Sequence, residues 1–246
     1  MQIIVIGSGA GFPTGNKRSS CFWLETVENA ILLDCGDGCA GGIQACNLEP
    51  LKIDAIAITH LHSDHWGGLG LFIQLQHLIS RKKPLTIIMP REGIKVAQEL
   101  LDASYMWNER IGFEINWQPW ESGVPAKLGN VTITPYKNSH LNAYKEDAFR
   151  HPRSLLESFS FIVECENKVG IYSGDIGSLS DLDGIMPKKL AWLIIEGMHY
   201  SPEEFASWLP KYSIDKVIVT HIPPNRDEKD FPESAIIARD GMRIKL

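Results

Sequence analysis

The sequence predicts an α/β protein made of stacked sheets covered by helices. Three observations lead there. Short β-branched apolar runs come as meanders in both halves of the chain. Stretches of helical spacing separate only some of them, where a single doubly wound parallel sheet would alternate throughout. Nothing across the 246 residues reads as a linker, a repeat or a low-complexity block, so one domain over residues 1–246 is expected.

The elements follow in order. Ile3 to Ile6 reads as a first strand running into the Gly-rich turn Gly7-Ser8-Gly9-Ala10-Gly11-Phe12-Pro13. Cys21–Leu24 and Ala30–Asp34 read as strands of a hairpin or meander turning at Val27-Glu28-Asn29, and Ile53–Thr59 reads as a β-branched apolar strand ending at a His-rich loop. Gly68–Ile79 places Leu69, Phe72, Ile73, Gln76 and Leu78 on one partly apolar helical stripe, and Glu92–Ser104 is expected to turn Ile94, Ala97, Leu100 and Leu101 inward. Leu85–Met89 lies between these helices as a strand closed by Pro90. Strands are then predicted at Phe113–Trp117, Val131–Tyr136, Ser158–Glu164, Val169–Ser173, Leu190–Glu196 and Lys216–Thr220. Ser201 followed by Pro202 is a natural cap for a short helix over Pro202–Trp208. The chain closes with a hairpin around Asp240-Gly241.

Composition narrows the function. Hydrophobic residues make up 44% and charged residues 22%, an ordinary globular mixture. Net charge is −6, which disfavours a chain devoted to gripping nucleic acid phosphates. No apolar run is long enough to cross a bilayer, and Met1–Gly7 reads as a strand, not an export signal. A cytoplasmic setting with its five cysteines reduced is therefore expected.

The strongest chemical signal is Thr59-His60-Leu61-His62-Ser63-Asp64-His65. Three imidazoles and a carboxylate this close are a metal-ligand set suited to zinc, manganese or iron. His60 and His62 project to one side of an extended segment, and a turn into helix can bring Asp64 and His65 to a second ion. His140, Asp175 and His221 each follow a predicted strand, and Asp34 ends another. Such positions converge at one edge of an α/β sheet, so these residues are expected to form a two-metal centre with a bridging carboxylate.

At these residues the chain resembles the metallo-β-lactamase superfamily, whose motifs stand in order at Asp34, His60-x-His62-x-Asp64-His65, His140, Asp175 and His221. The resemblance implies an αββα four-layer sandwich with the metal site on one edge. It implies that His60, His62 and His140 hold one ion, that Asp64, His65 and His221 hold the other, and that Asp175 bridges them. Asp34 would stand behind the histidine loop and tune ligand basicity. The opening Gly7–Thr14 with Lys17-Arg18-Ser19-Ser20, and the ending Ala238-Arg239-Asp240-Gly241-Met242, resemble the ribonuclease Z and phosphodiesterase branch.

There are departures. The His-Glu-Ala-Thr segment of ribonuclease Z corresponds to Ile194-Ile195-Glu196-Gly197-Met198, so Glu196 is kept and Ile195 stands where the His would be. No basic, Gly-rich insertion resembles the arm that grips precursor tRNA. The expectation is a hydrolase using a hydroxide held by two metal ions, with zinc first among them and Asp64 at the catalytic centre. Its substrate would be a small or cyclic phosphodiester, and nucleic acid is not favoured. A tRNA 3′ endonuclease, a lactonase or arylsulfatase, and a non-catalytic metal-stabilised module are the alternatives.

The leaving group needs a proton, and Glu196 and His199 are the candidate donors. Lys17, Arg18, Arg150 and Arg153 are candidate contacts for a substrate phosphate. Gly7-x-Gly9 lacks a third glycine and reads as a tight turn rather than a dinucleotide loop. The aromatic stretches Tyr105–Trp107 and Trp117–Trp120 are expected in a core or at a self-association face, and the resemblance implies a homodimer.

Overall fold

The computed structural model describes residues 1–246. The first seven strands are β1 (Gln2–Gly7), β2 (Cys21–Glu25), β3 (Ala30–Leu33), β4 (Ile53–Ala57), β5 (Leu85–Met89), β6 (Ile115–Pro119) and β7 (Ala126–Leu128). The rest are β8 (Val131–Lys137), β9 (Phe159–Cys165), β10 (Lys168–Tyr172), β11 (Trp192–Glu196), β12 (Val217–Thr220), β13 (Ile236–Ile237) and β14 (Arg243–Lys245). The helices are α1 (Cys39–Ala45), α2 (Ser63–Trp66), α3 (Leu69–Leu78), α4 (Arg91–Ala103), α5 (Asn108–Ile111), α6 (Lys145–Ala148), α7 (Ser180–Asp183) and α8 (Pro202–Trp208).

The strands make two seven-stranded sheets, ordered β14-β1-β2-β3-β4-β5-β6 and β13-β12-β11-β10-β9-β8-β7. Each sheet is half antiparallel and half parallel: pairing becomes parallel from β3 to β6 in the first and from β10 to β13 in the second. β3, β11 and β12 read as apolar runs because both their faces are covered. Alternation along β1 shows the layering. Ile3 and Val5 join Phe22, Val131, Phe161 and Ile194 in the core between the sheets. Ile4 and Ile6 instead meet α1, α3 and α4 through Ile43, Phe72 and Ala97. On the far side of the second sheet, Leu193, Ile195 and Val219 pack under Leu182, Phe205 and Trp208 of α7 and α8. The result is the αββα sandwich.

Two local departures from the sequence reading have physical causes. Helix α1 escaped notice because Gly41 and Gly42 dilute its helix signal. Gly42 is needed there, since a Cβ would lie 2.6 Å from the Ile6 side chain. The closing hairpin does not form. Ile236–Ile237 pairs in parallel with β12 in one sheet, while Arg243–Lys245 pairs antiparallel with β1 in the other. Between them Asp240 turns away to accept from the Ser8 amide and hydroxyl, both at 2.9 Å, and from the Arg18 amide at 2.8 Å. Those bonds tie the Asp-Gly turn to the N-terminal Gly-rich loop, so the chain crosses between sheets.

Candidate metal centre

The predicted metal ligands leave strand ends on one edge of the sandwich. His60, His62, Asp64 and His65 follow β4 and enter α2; His140 follows β8, Asp175 follows β10 and His221 follows β12. The backbone is forced there. Asp34 and His221 hold left-handed conformations, φ 59° and 57°, which cost a non-glycine residue energy. Gly174, at φ 54°, turns the chain into Asp175, and a Cβ on it would stand 2.8 Å from Thr59 Cγ2.

Side-chain atoms gather in two groups, each within 4.8 Å: His60, His62, His140 and Asp175, and Asp64, His65 and His221. Asp175 touches both. Its Oδ1 lies 3.3 Å from His65 Nε2, and its Oδ2 lies 3.2 Å from His221 Nε2 and 3.8 Å from His140 Nε2. Asp64 Oδ2 is 3.5 Å from His65 Nε2 and 3.6 Å from His221 Nε2.

The donor set fits divalent cations. His60 Nε2, His65 Nε2, Asp64 Oδ2 and Asp175 Oδ1 are buried without a hydrogen-bond partner, which is costly unless something else satisfies them. Tautomers also agree. The Thr59 hydroxyl gives its one proton to Asp34, at 3.0 Å from Oδ1, so His60 Nδ1 donates to Thr59 Oγ1 across 3.0 Å. His65 Nδ1 donates to Asp34 Oδ2 at 2.6 Å. Both rings are thereby left with an Nε2 lone pair turned inward. Burial holds the His60 imidazole well below its ordinary pKa and pushes His140 down to about 4, so both are neutral near pH 7.

Glu196 and His199 divide their roles by burial. Glu196 is 1% exposed, and its carboxylate accepts from the backbone amides of Met198 and His199, at 2.5 and 3.1 Å. Its other oxygen receives His199 Nδ1 at 2.9 Å. The His199 ring lies 4.8 Å from that of His140. Burial opposes its charge, but the hydrogen bond and charge of Glu196 hold its pKa above the ordinary histidine value. Ile195 is buried in the outer core.

The candidate phosphate contacts scatter. Arg18 pairs with Asp240 at 3.3 Å, while Lys17 lines a cavity of about 240 Å³ with Phe12, Pro223 and Arg226. Arg150 and Arg153 are exposed, and Arg150 lies 3.7 Å from Asp147. The sequence reading missed Thr59, Tyr172 and Tyr144. Thr59 stands at the head of the histidine motif and Tyr172 inside the predicted strand Val169–Ser173, neither with a signal of its own, and Tyr144 carries none. Tyr172 Oη donates to Asp34 Oδ2, and the Tyr144 ring stands 5.8 Å from that of His62.

Fold and centre together place the chain in the metallo-β-lactamase superfamily, near ribonuclease Z. Within that class the chain belongs to the family described as Anti-Pycsar protein Apyc1, whose model matches residues 1–230. Ribonuclease Z of Thermococcus gammatolerans is 34% identical over 116 residues, covering 47% of this chain and 36% of that one. The chain thus matches well under half the length of that relative. Ribonuclease Z of Methanococcus maripaludis is 28% identical over 240 residues, covering 89% of this chain and 74% of the relative. The short form of human tRNase Z superposes with a TM-score of 0.78 at 18% identity, covering 100% of this chain and 99% of that one. No helix is long and apolar enough to cross a membrane.

Proposed function

We propose that the protein is a two-metal phosphodiesterase acting on a small, cyclic phosphodiester such as a cyclic nucleotide. The observation that carries this reading is that two ligand groups meet at Asp175 with His199 beside His140. His60, His62 and His140 would hold one ion, Asp64, His65 and His221 would hold the second, and Asp175 is placed to serve both. Divalent zinc, or manganese or iron on the same donors, supplies Lewis acidity toward the phosphoryl oxygens and a water acidic enough to attack at neutral pH.

The protein's own groups do the rest. Asp34 fixes the His65 ring, and Thr59 fixes His60. Glu196 orients His199 and favours its protonated form, so that its Nε2 can hand a proton to the departing alkoxide. Glu196 itself is a positioning residue, because its oxygens are taken by amides and by His199.

A small substrate is favoured over folded RNA for two reasons. The net charge is −6, and the stretch between His140 and Asp175 is used by a 3-10 turn, α6, a surface loop and strands β9 and β10, with no projecting arm. The names of the relatives favour a second reading, cleavage of precursor tRNA. We also propose pairing of two copies through the outer faces of α3 and α4. Leu71, Leu78, Val96 and Leu100 are exposed there, and Leu100 lies against Gly70.

The test is hydrolysis of bis(p-nitrophenyl) phosphate by metal-loaded protein, with a chelated sample and Asp64→Ala beside it, followed by a 3′,5′-cyclic nucleotide and a precursor tRNA. Turnover of the first two substrates that disappears in both controls is expected. Cleavage of the tRNA alone would hand the assignment to the second reading.

A further inference from the structure

Three of the five cysteines meet outside the metal centre. Cys21 opens β2, Cys35 follows Asp34 and Cys39 opens α1, and all three are fully buried beside Trp23, Ile43 and Leu69. All are free thiols. The Cys21 thiol donates to Cys39 Sγ across 3.3 Å, and the Cys35 thiol bonds to the same sulfur. Two donors favour a thiolate at Cys39 and bring its pKa down to about 5 against the opposing pull of burial, while burial pushes the Cys21 thiol up. The pair is therefore unequal, with a nucleophilic sulfur at Cys39 and its close thiol neighbour at Cys21.

The cluster has a way in and a way to act. Helix α1 runs seven residues, starts from Gly38 at φ 80° without a side-chain cap, and contains Gly41 and Gly42. Such a helix opens easily at its first turn, and Asp37 just before it is exposed, so Cys39 is within reach of a molecule as small as a peroxide. On the other side the sulfurs back onto the bonds that hold the metal ligands. The Cys39 amide donates to the Gly36 carbonyl at 3.2 Å, and the Gly36 amide donates to the Ser20 carbonyl at 3.0 Å. Ser20 adjoins Cys21 and bonds Tyr172 Oη at 2.9 Å. The Cys35 amide donates to the His65 carbonyl at 2.7 Å. Movement of Cys21 or Cys39 is thus passed to Tyr172, Asp34 and His65.

We propose that Cys21 and Cys39 are a peroxide-sensitive modification site, whose disulfide loosens the metal ligands when it closes. The Cys39 thiolate attacks one oxygen of hydrogen peroxide, the O–O bond breaks, and hydroxide leaves a sulfenic acid on Cys39. The Cys21 sulfur then attacks the Cys39 sulfur, the S–O bond breaks, and water departs with the Cys21 proton. Two thiols give up two electrons and two protons, and the peroxide becomes two waters. The sulfurs close from 3.3 Å to about 2.05 Å, and the Gly36 turn and Ser20 must take up the difference. The bond itself is independent of the proposed function, and its effect rests on the two-metal reading.

The full chain is treated with hydrogen peroxide, its free thiols are alkylated in urea, and a digest cut after glutamate is mapped by mass spectrometry without reduction. Zinc affinity is measured on the same samples by competition with a chromogenic chelator. Wild type is expected to lose two thiols and to link Cys21 to Cys39, as should Cys35→Ala. Zinc affinity should fall about tenfold on oxidation, as when a partner that orients a ligand is lost, and return after reduction by a phosphine. Cys21→Ala and Cys39→Ala should keep their zinc affinity through the same treatment. Free Cys21 and Cys39 after peroxide, a link from Cys21 to Cys35 in wild type, or a Cys21–Cys39 link that leaves zinc affinity unchanged would overturn the proposal. The Cys21–Cys39 link in a protein that binds no zinc even when reduced would keep the disulfide and overturn the two-metal reading instead.

Discussion

Tyr172 Oη donates to Asp34 Oδ2 at 2.6 Å, and this bond helps join the two sheets directly behind the metal-ligand cluster. Ser20 Oγ donates to the same phenol at 2.9 Å, so the tyrosine proton is committed to the carboxylate. Asp34 thereby completes a set of donors: the Thr59 amide and hydroxyl, His65 Nδ1 and Tyr172 Oη.

Removing that phenol should weaken metal binding without emptying the core. Tyr172→Phe keeps the ring among Phe22 and Phe161 and takes away one donor from a buried carboxylate. Metal affinity should fall about ten- to a hundredfold, as for other partners that orient ligands. The rise in melting temperature on adding zinc should shrink accordingly. Equal loss of stability with and without zinc would reduce the bond to a packing role.

Asp175→Asn removes the group shared by both clusters. Metal analysis should show the bound ions falling below the wild-type complement, with phosphodiesterase activity lost in the same samples. Full metal content in this variant would contradict the sharing assigned to Asp175.

His199→Ala should separate substrates by their leaving groups. A cyclic alkyl diester needs a proton on departure and should lose about 10²–10⁴ in kcat, whereas p-nitrophenolate leaves readily and its ester should lose far less. Glu196→Gln should follow the same pattern more weakly. Equal losses on both esters would remove His199 from proton transfer.

Gly174→Ala tests the backbone at the centre. A side chain at φ 54° is strained, and here it also meets Thr59 and the Phe159 carbonyl, so a loss of about 1–3 kcal/mol is expected in urea unfolding. Ser201→Ala, which breaks a capping box between Ser201 and Glu204 at the start of α8, should cost about 1 kcal/mol.

Leu71→Glu with Leu78→Glu places charge on the apolar face of α3. Wild-type protein is expected to sediment as a dimer and this variant as a monomer. A monomeric wild type would dismiss the pairing.

The sequence alone determined which residues meet at the centre and which strands carry them. The apolar runs ending at Thr59, Tyr136, Ser173 and Thr220 each hand over to a ligand, and ligand chemistry leaves little freedom in residue type. Covering on both faces was also legible, because β1 and β11 are continuous apolar runs. Only tertiary structure decided the rest. Asp240 leaves the expected hairpin because its carboxylate finds the Ser8 and Arg18 amides, more than two hundred positions away in sequence. Glu196 and His199 are distinguished by burial, not by type. Thr59, Tyr172 and Tyr144 act through what they touch across the fold, and a hydroxyl or phenol in sequence carries no mark of its partner.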